Sequence, residues 1–216
     1  MIKALIFDFD GLILDTETAW YESYKETLEE LYGYNLQIED FVKCVGSNGE
    51  VFWDFLQTEL GDSYDYHMIK DKAGKLHTLK IKNYKERDGV KDFLEDAFKK
   101  NLKIALATSS SKRWATTHLT NLKLISYFDI LITKDDVKDV KPSPDLFNKA
   151  IKELNIRPSE AIVFEDSLNG LIAAQKADLK TIIVPNPITK SLPFKDYHLK
   201  LNSMKDMTLK EVISTT

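Results

Sequence analysis

Two carboxylates follow the first apolar run of the chain, in the stretch LIFDFDGLILD. Asp8 ends the run, and Asp10 lies one residue beyond Phe9 and directly before Gly11. Like charges in a tight site raise the free energy of their ionised forms, so this pair needs a reason. A carboxylate can attack phosphorus to form an aspartyl-phosphate, and a second one can move a proton. Acids and glycine also end strands in many proteins, and that simpler interpretation stays open for the pair alone.

Three further polar segments follow later apolar runs, and they are Thr108-Ser109-Ser110-Ser111, Lys141-Pro142 and Glu165-Asp166-Ser167. Alone, each has a simpler interpretation as a helix cap, a solvated turn or an acidic helix start. In an open parallel sheet, ligands bind beyond the carboxyl ends of the strands, so we expect all the segments to meet there. The combination fits phosphoryl transfer, in which a hard cation such as Mg²⁺ separates a nucleophilic carboxylate from its anionic substrate.

Short apolar runs predict the strands that position these segments. The runs are of strand length and show little polar alternation, which is typical of strands covered on both faces; they are Ala4–Phe7, Ile104–Ala107, Ile130–Ile132, Ala161–Phe164 and Thr181–Val184. Apolar residues at helical spacing lie between the runs, at 90–98, 146–154 and 168–175. Before the second of these helices, Ser143 is a candidate N-cap and Pro144 a candidate first helical residue. The alternation predicts a doubly wound, Rossmann-like α/β fold with a parallel sheet.

The stretch between residues 16 and 86 has a different character. It contains no convincing strand and is rich in aromatic residues. Its apolar residues recur at helical spacing, at Trp20, Tyr24, Leu28 and Leu31 and again at Phe52, Phe55 and Leu56. We therefore predict a helical cap domain at 16–86, inserted after the first strand of a catalytic core domain formed by 1–15 and 87–216.

The composition and charge of the chain indicate which kinds of partner to expect and where in the cell the protein is expected. The 30 basic and 34 acidic residues are interspersed and give a formal charge of -4, so no basic face suggests nucleic acid. Cys44 is the single cysteine, which excludes an intrachain disulfide and fits a cytoplasmic protein. The sequence contains no run of 18 apolar residues, so no membrane span is expected. The N-terminal residues are predicted to form a strand rather than a signal sequence. We expect a cytoplasmic monomer whose partner is a small phosphorylated metabolite.

The four polar segments resemble the four motifs of the haloacid dehalogenase superfamily, and the resemblance spans nearly the whole chain. DFDGLILDTE looks like the first motif, and the second to fourth are similar to ATSS, VKPSPD and VFEDSLNG. The predicted insertion is similar to the α-helical cap type of this superfamily. Within the superfamily, the chain most resembles the group of β-phosphoglucomutases and phosphoglycolate-phosphatase-like enzymes.

The resemblance implies how the acids divide the work. Asp8 would be the nucleophile, and Asp10 would protonate the leaving oxygen and then activate the water that hydrolyses the aspartyl-phosphate. The Mg²⁺ of the family would be held by the carboxylates of Asp8 and Asp166 and by the backbone carbonyl of Asp10. Glu165 would support that metal site from nearby.

The resemblance also implies a phosphate site. The Thr108 hydroxyl and the Ser109 backbone amide would hold phosphate oxygens, and Lys141 would neutralise the phosphate and the nucleophile. Dehalogenases of the superfamily lack the second acid of the first motif, so its presence here favours phosphoryl chemistry. The prediction is a Mg²⁺-dependent phosphatase that hydrolyses small phosphomonoesters, such as sugar phosphates, through an aspartyl-phosphate.

Two departures from the family pattern favour a hydrolase over a phosphosugar mutase. β-Phosphoglucomutases have a histidine four residues after the threonine of the DT pair, where this chain has Trp20. They also carry an arginine in a cap loop, and the comparable segment 46–49 reads GSNG. A second phosphate would thus have no obvious partner. A β-phosphoglucomutase-type mutase remains the first alternative, and a non-catalytic binding protein on the same fold the second.

Specificity is expected to lie in the insertion. The candidates for substrate contact are Trp20, Ser47, Asn48 and Lys75, with Asn169 of the core adding a contact. Trp20 also has a structural interpretation, because a tryptophan at helical spacing usually belongs to a core. If it faces the site, it offers a flat apolar wall and one N–H donor.

Overall fold

The structure is a computed structural model that describes residues 1–45, 50–61 and 64–216. Its strands and α-helices run in the order β1 (Ala4–Phe7), α1 (Thr16–Tyr32), α2 (Ile38–Cys44), α3 (Glu50–Leu60), α4 (Tyr66–Ile81), α5 (Val90–Lys99), β2 (Lys103–Ala107), α6 (Lys112–Asn121), β3 (Ile130–Ile132), α7 (Asp145–Leu154), β4 (Ala161–Glu165), α8 (Leu168–Lys176), β5 (Lys180–Ile183), β6 (Leu199–Lys200) and α9 (Leu209–Thr215). None of the helices in this described part is both long and apolar enough to cross a bilayer.

The strands form one parallel sheet in the order β3-β2-β1-β4-β5-β6. The five predicted strands are confirmed within one residue at each end. A sixth strand, β6, is not predicted from the sequence; it pairs with β5 at Ile182 and Leu199. This strand has two residues and a partly exposed pattern, so it leaves no apolar run to read.

Alternate side chains of the central strand pack on opposite faces of the sheet. Leu5 and Phe7 belong to a core that includes residues of α5, α6 and α9. Ala4 and Ile6 belong to a second core, with residues of α7 and α8. Because both faces of the sheet are covered, the central strand β1 is apolar throughout, and the predicted doubly wound α/β fold is confirmed.

Helices α1 to α4 lie between β1 and α5, as the sequence predicts for this stretch. They build a third hydrophobic core that includes Leu28, Phe52, Leu56 and Ile69, and Ile188 from the segment after β5 joins it. Helix α1 begins after Asp15, whose carboxylate accepts from the backbone N–H of Thr18 at 3.2 Å. An acceptor at this position satisfies one of the free N–H groups of the first turn, so the chain enters the insertion through a defined cap.

The start of α7 differs from the prediction by one residue. Pro144 is the N-cap residue rather than the first helical residue, and the helix begins at Asp145. Ser143 lies one residue before the N-cap, in a turn where its N–H donates to the carbonyl of Val140 at 2.9 Å, and no side chain among the described residues caps this helix.

Candidate active site

The parallel register of the sheet brings the polar segments to one edge. Phe7 is aligned with Leu106 of β2 and with Phe164 of β4, so the residues that follow these strands emerge side by side. The N–H of Asp8 donates to the carbonyl of Phe164 at 3.1 Å, which continues the ladder to the nucleophile candidate. Thr108 is fixed in the same way by the carbonyl of Ile132 on β3.

Lys141 lies between two of the acids. Its ammonium group donates to Asp8 Oδ1 at 2.5 Å and to Glu165 Oε1 at 2.6 Å. All three side chains are buried, with exposed fractions of 9% or less. The other oxygen of Glu165 accepts from the backbone N–H groups of Asp166 and Ser167 at the start of α8. Glu165 is therefore a buried anchor for Lys141 and for this helix start.

Two glycines make room for these carboxylates. A Cβ atom on Gly170 would lie 1.9 Å from Cδ of Glu165, and one on Gly11 would lie 2.3 Å from Oδ2 of Asp166. Gly11 also has a φ of +82°, a left-handed conformation that other residues rarely adopt. Glycine at both positions is required because the carboxylates take the space of a side chain.

Asn186, which is not among the residues predicted from the sequence, holds Asp166 from the segment after β5. Its side-chain amide donates to Asp166 Oδ2 at 2.7 Å. Its carbonyl oxygen accepts from the N–H groups of Ile188 and Thr189, which fixes the orientation of the amide. The only sequence signal is an asparagine between two prolines shortly after a strand, which indicates a turn.

The acids exceed the cations in this cluster, and their pKa values reflect it. Burial raises the pKa of Asp8 to about 8; Lys141 opposes this, while Glu165 and Asp10 add to it. Burial and the neighbouring Asp8 raise the pKa of Asp166 well above its ordinary value. Burial lowers the pKa of the Lys141 ammonium, but the two carboxylates outweigh that effect and raise it. One lysine thus leaves this group of acids short of positive charge.

The same acids fit a divalent cation. Asp8, Glu165 and Asp166 each offer a carboxylate oxygen, and these atoms lie within 4.8 Å of one another. Hard cations such as Mg²⁺ prefer oxygen ligands of this kind. A bound cation would supply the missing positive charge and would favour the ionised carboxylates, whose pKa values are raised without it.

A cavity of about 750 Å³ opens over the cluster. The predicted site residues that line it are Asp8, Asp10, Trp20, Thr108, Ser109, Lys141, Asp166 and Asn169. Glu165 lies beneath, fully buried. Ser47 and Asn48 fall outside the described residues. The structure thus brings the core segments together and places Trp20 at the same cavity.

Lys75, a predicted substrate contact, does not line the cavity. Helix α4 buries the face that carries Ile69, Ala73 and His77, and Lys75 points away from that face. Its side chain is 72% exposed and pairs with Asp71 one turn earlier at 2.6 Å. The structure does not bring this lysine to the cavity, because the period of the helix turns it towards solvent.

The family model of the haloacid dehalogenase-like hydrolases matches residues 5–184 of the chain. This chain belongs to the haloacid dehalogenase-like hydrolase family. The match includes all four polar segments, so the resemblance seen in the sequence is confirmed.

Curated relatives of this family member are named phosphatases. It is 41% identical over 210 residues to "Putative phosphatase YhcW" of Bacillus subtilis, covering 97% of this chain and 95% of the relative. It is 33% identical to the "Phosphorylated carbohydrates phosphatase" of Thermotoga maritima, over 84% of each chain. The crystal structure of a CbbY mutant from Rhodobacter sphaeroides with xylulose-(1,5)bisphosphate superposes with a TM-score of 0.77 at 27% identity, over 97% of this chain and 98% of that one. The haloacid dehalogenase-like hydrolase described here is a phosphoric monoester hydrolase.

Among the residues that line the cavity of this hydrolase, Trp114 and Glu17 were not predicted from the sequence, and Ser110 was predicted only as a member of its polar segment. Ser110 and Trp114 donate hydrogen bonds to the carboxylate of Asp10. Glu17 lines the cavity from the first turn of α1. Burial, together with Asp10 and Asp15, raises the pKa of Glu17 to about 7. An acid in the first turn of a helix is so common that its position alone carries no functional signal.

Trp20 combines both interpretations that the sequence left open. It lines the cavity and also stacks on His77 of α4, with ring centroids 3.8 Å apart and an interplanar angle of 11°. His77 is 1% exposed, and its Nε2 atom has no hydrogen-bond partner within the described part of the chain. Burial lowers the pKa of His77 to about 4; His118 adds to this effect and a hydrogen bond to the backbone of Thr16 opposes it. The histidine is therefore neutral in the folded protein at neutral pH.

His77 makes the folded protein of this hydrolase less stable as the pH falls. Its folded pKa lies below the ordinary value of 6.5, so the unfolded chain binds more protons between about pH 6.5 and 4. We expect His77 to account for a loss of about 2 kcal/mol in unfolding free energy between pH 7 and pH 5. The variant His77→Phe keeps an aromatic ring and should remove that part of the pH dependence in urea unfolding.

The matched control for this prediction is His67→Phe, on the exposed side of the same helix. It should retain the wild-type difference between the two pH values. Equal pH dependence in His77→Phe and in the wild-type protein would contradict the prediction.

Proposed function

We propose that this protein is a Mg²⁺-dependent phosphatase that hydrolyses small phosphomonoesters through an aspartyl-phosphate on Asp8. One observation carries the proposal: the buried carboxylate of Asp8 lines the cavity beside Lys141, Thr108 and Asp166. A nucleophile, a fixed cation, a hydroxyl donor and a metal-binding acid are the groups that this chemistry requires at one place.

The residues of the chain supply most of the steps. The carboxylate of Asp8 attacks phosphorus in line with the ester oxygen, and the carboxyl of Asp10 gives its proton to the leaving alkoxide. Asp10 then takes a proton from a water molecule that attacks the aspartyl-phosphate, which releases inorganic phosphate and restores both acids. Lys141 and Thr108 stabilise the charge on the transferring group.

A Mg²⁺ ion would be held by the carboxylates of Asp8 and Asp166 and by the backbone carbonyl of Asp10. When bound, the ion screens the nucleophile from the anionic substrate and stabilises charge on the phosphoryl oxygens. Glu165 supports this site through Lys141 rather than from within the cavity. The Ser109 backbone amide completes the phosphate site, in keeping with its position on the cavity wall.

The charges of the cavity favour a leaving group without a second phosphate. Among the described residues that line it, Lys141 is the only cation, and it faces the transferring phosphate. Glu17 and Trp20 line the part contributed by α1, where a carboxyl can bind a hydroxyl and an indole can cover an apolar face. These charges favour a phosphatase over a mutase. The substrate would be a monophosphate whose leaving group is uncharged and carries hydroxyl groups. Ser47 and Asn48 remain predicted contacts in the undescribed segment.

We further propose that residues 16–86 act as a cap domain on a core of 1–15 and 87–216. Closure of such a cap would exclude water until the substrate is in place. A cytoplasmic location and a monomeric state remain predictions.

The test of the proposed function is a panel of sugar phosphates, phosphoglycolate and an aryl phosphate, assayed for free phosphate. We expect turnover with Mg²⁺ and a fall to background after treatment with EDTA, because the acids would then lack their counter-charge. Readdition of Mg²⁺ should restore the rate. Undiminished turnover in EDTA would contradict the metal dependence.

The same panel separates the alternatives. A mutase would isomerise β-glucose 1-phosphate in the presence of a bisphosphate primer without net release of phosphate. Release of phosphate alone would reject that alternative, and no reaction with any substrate would favour a non-catalytic protein.

A further inference from the structure

The carboxylate of Asp10 is held on both oxygens, by Ser110 of the polar segment 108–111 and by Trp114, which the sequence did not indicate. The hydroxyl of Ser110 donates to Oδ2 at 2.6 Å, and the indole N–H of Trp114 donates to Oδ1 at 3.0 Å. The terminal torsion of an aspartate is soft, so a free carboxylate would rotate over a wide range. Two donors on opposite oxygens restrict that rotation.

Trp114 is itself fixed by its neighbours. It lies in the first turn of α6, where its backbone N–H donates to the N-cap hydroxyl of Ser111. Its ring lies 4.1 Å from that of His118 on the same helix and 5.8 Å from that of His77 on α4, measured between centroids. The indole is therefore braced by α6 on one side and by the helical insertion on the other.

An indole N–H is a donor only, so Trp114 cannot accept or relay the proton that Asp10 moves. Its contribution must act through the orientation of the carboxyl. We propose that Trp114 is a positioning residue that aims the carboxyl of Asp10 at the oxygen of the leaving group. This inference rests on the proposed function, in which Asp10 is the acid.

Proton donation matters only where the leaving oxygen is a strong base. An alkyl phosphate releases an alkoxide that must be protonated, whereas p-nitrophenyl phosphate releases a stable phenolate. A defect in aiming Asp10 should therefore slow phosphoenzyme formation from the first substrate and spare the second. A defect in packing alone would slow both by the same factor.

The experiment measures phosphoenzyme formation by rapid quench in Trp114→Phe, which keeps an aromatic ring and removes the N–H. The substrates are p-nitrophenyl phosphate and an alkyl phosphate that the wild-type enzyme hydrolyses. We expect the alkyl rate to fall about tenfold, since general acid catalysis contributes about 10² to 10⁴ when intact. The aryl rate should change by less than about twofold, because that substrate needs little proton donation.

Two further variants keep the result interpretable. Trp53→Phe makes the same substitution on α3, outside the cavity lining, and should leave both rates unchanged. If Trp114→Phe does not fold, 3-benzothienylalanine incorporated at position 114 keeps the shape of the ring without its N–H. An equal effect on both substrates, or none on either, would overturn the proposal.

Asp10→Asn separates this inference from the proposed function. If Asp10→Asn slows phosphoenzyme formation from the alkyl phosphate selectively and Trp114→Phe does not, the acid is assigned correctly and the role of Trp114 is wrong. If Asp10→Asn leaves both rates intact, the role of Asp10 itself fails.

Discussion

Replacing Asp8 by asparagine is expected to lower turnover by about 10⁴-fold or more and to leave the fold intact. Asparagine has nearly the same shape, but its amide cannot attack phosphorus and is a weak ligand for a hard cation. The substitution also removes one of the crowded acids, whose pKa is raised to about 8, so its removal should cost little stability. Initial rates with Mg²⁺ measure the loss, and circular dichroism checks the fold.

The phosphoenzyme distinguishes the nucleophile from a residue that only helps. Acid-quenched wild-type enzyme should carry one phosphoryl group on the peptide that contains Asp8, and the Asp8→Asn enzyme none. Asp92→Asn, on the exposed side of α5, serves as the matched control and should behave as the wild type. Normal turnover by Asp8→Asn would sink the assigned nucleophile.

The second large effect is expected from Lys141→Met. The side chain is of similar length and carries no charge, so Asp8 and Glu165 would lose the cation that lies between them. We expect turnover to fall by about 10² to 10³-fold, because a fixed cation stabilises the transferring phosphoryl group. We also expect the unfolding free energy to fall by about 3–5 kcal/mol, as is typical when one partner of a buried ion pair is removed.

The pH dependence gives a direct check on this explanation. Buried carboxyl groups that lack a cation destabilise the folded protein most when they are ionised. The loss of unfolding free energy should therefore be larger at about pH 9 than at about pH 6. Urea unfolding in the presence of EDTA measures it, and Lys138→Met on an exposed turn is the control. A loss of stability that does not change with pH would indicate a packing defect instead of unpaired charge.

Much of the α/β core could be predicted because its strands are buried on both faces. Such strands are continuous apolar runs, so β1 to β5 were visible in the sequence. Strand β6 was not, since two partly exposed residues carry no pattern. The start of α7 was misplaced by one residue because Ser143 and Pro144 both suit a helix start, and only the turn at Val140 selects between them.

The residues of the candidate site likewise include some that the sequence predicts and some that it does not. Asp8, Thr108, Lys141 and Asp166 directly follow strands or adjoin turns, and the register of a parallel sheet dictates that such positions meet. Lys75 was misplaced because its location depends on how α4 is rotated, and one helical turn offers several exposed positions. The spacing of apolar residues in the insertion does not predict which face of α4 points towards the catalytic core.

The fold class, the edge of the sheet that carries the chemistry, and the acids and lysine that meet there can all be predicted from the sequence. These features can be predicted because the burial of a strand and the position of its end depend on residues that are adjacent in the sequence. The side chains that surround those acids are known only from the packing of the folded chain. Glu17, Trp114 and Asn186 reach the cluster from separate elements, and their roles arise from three-dimensional contacts that no spacing along the chain encodes.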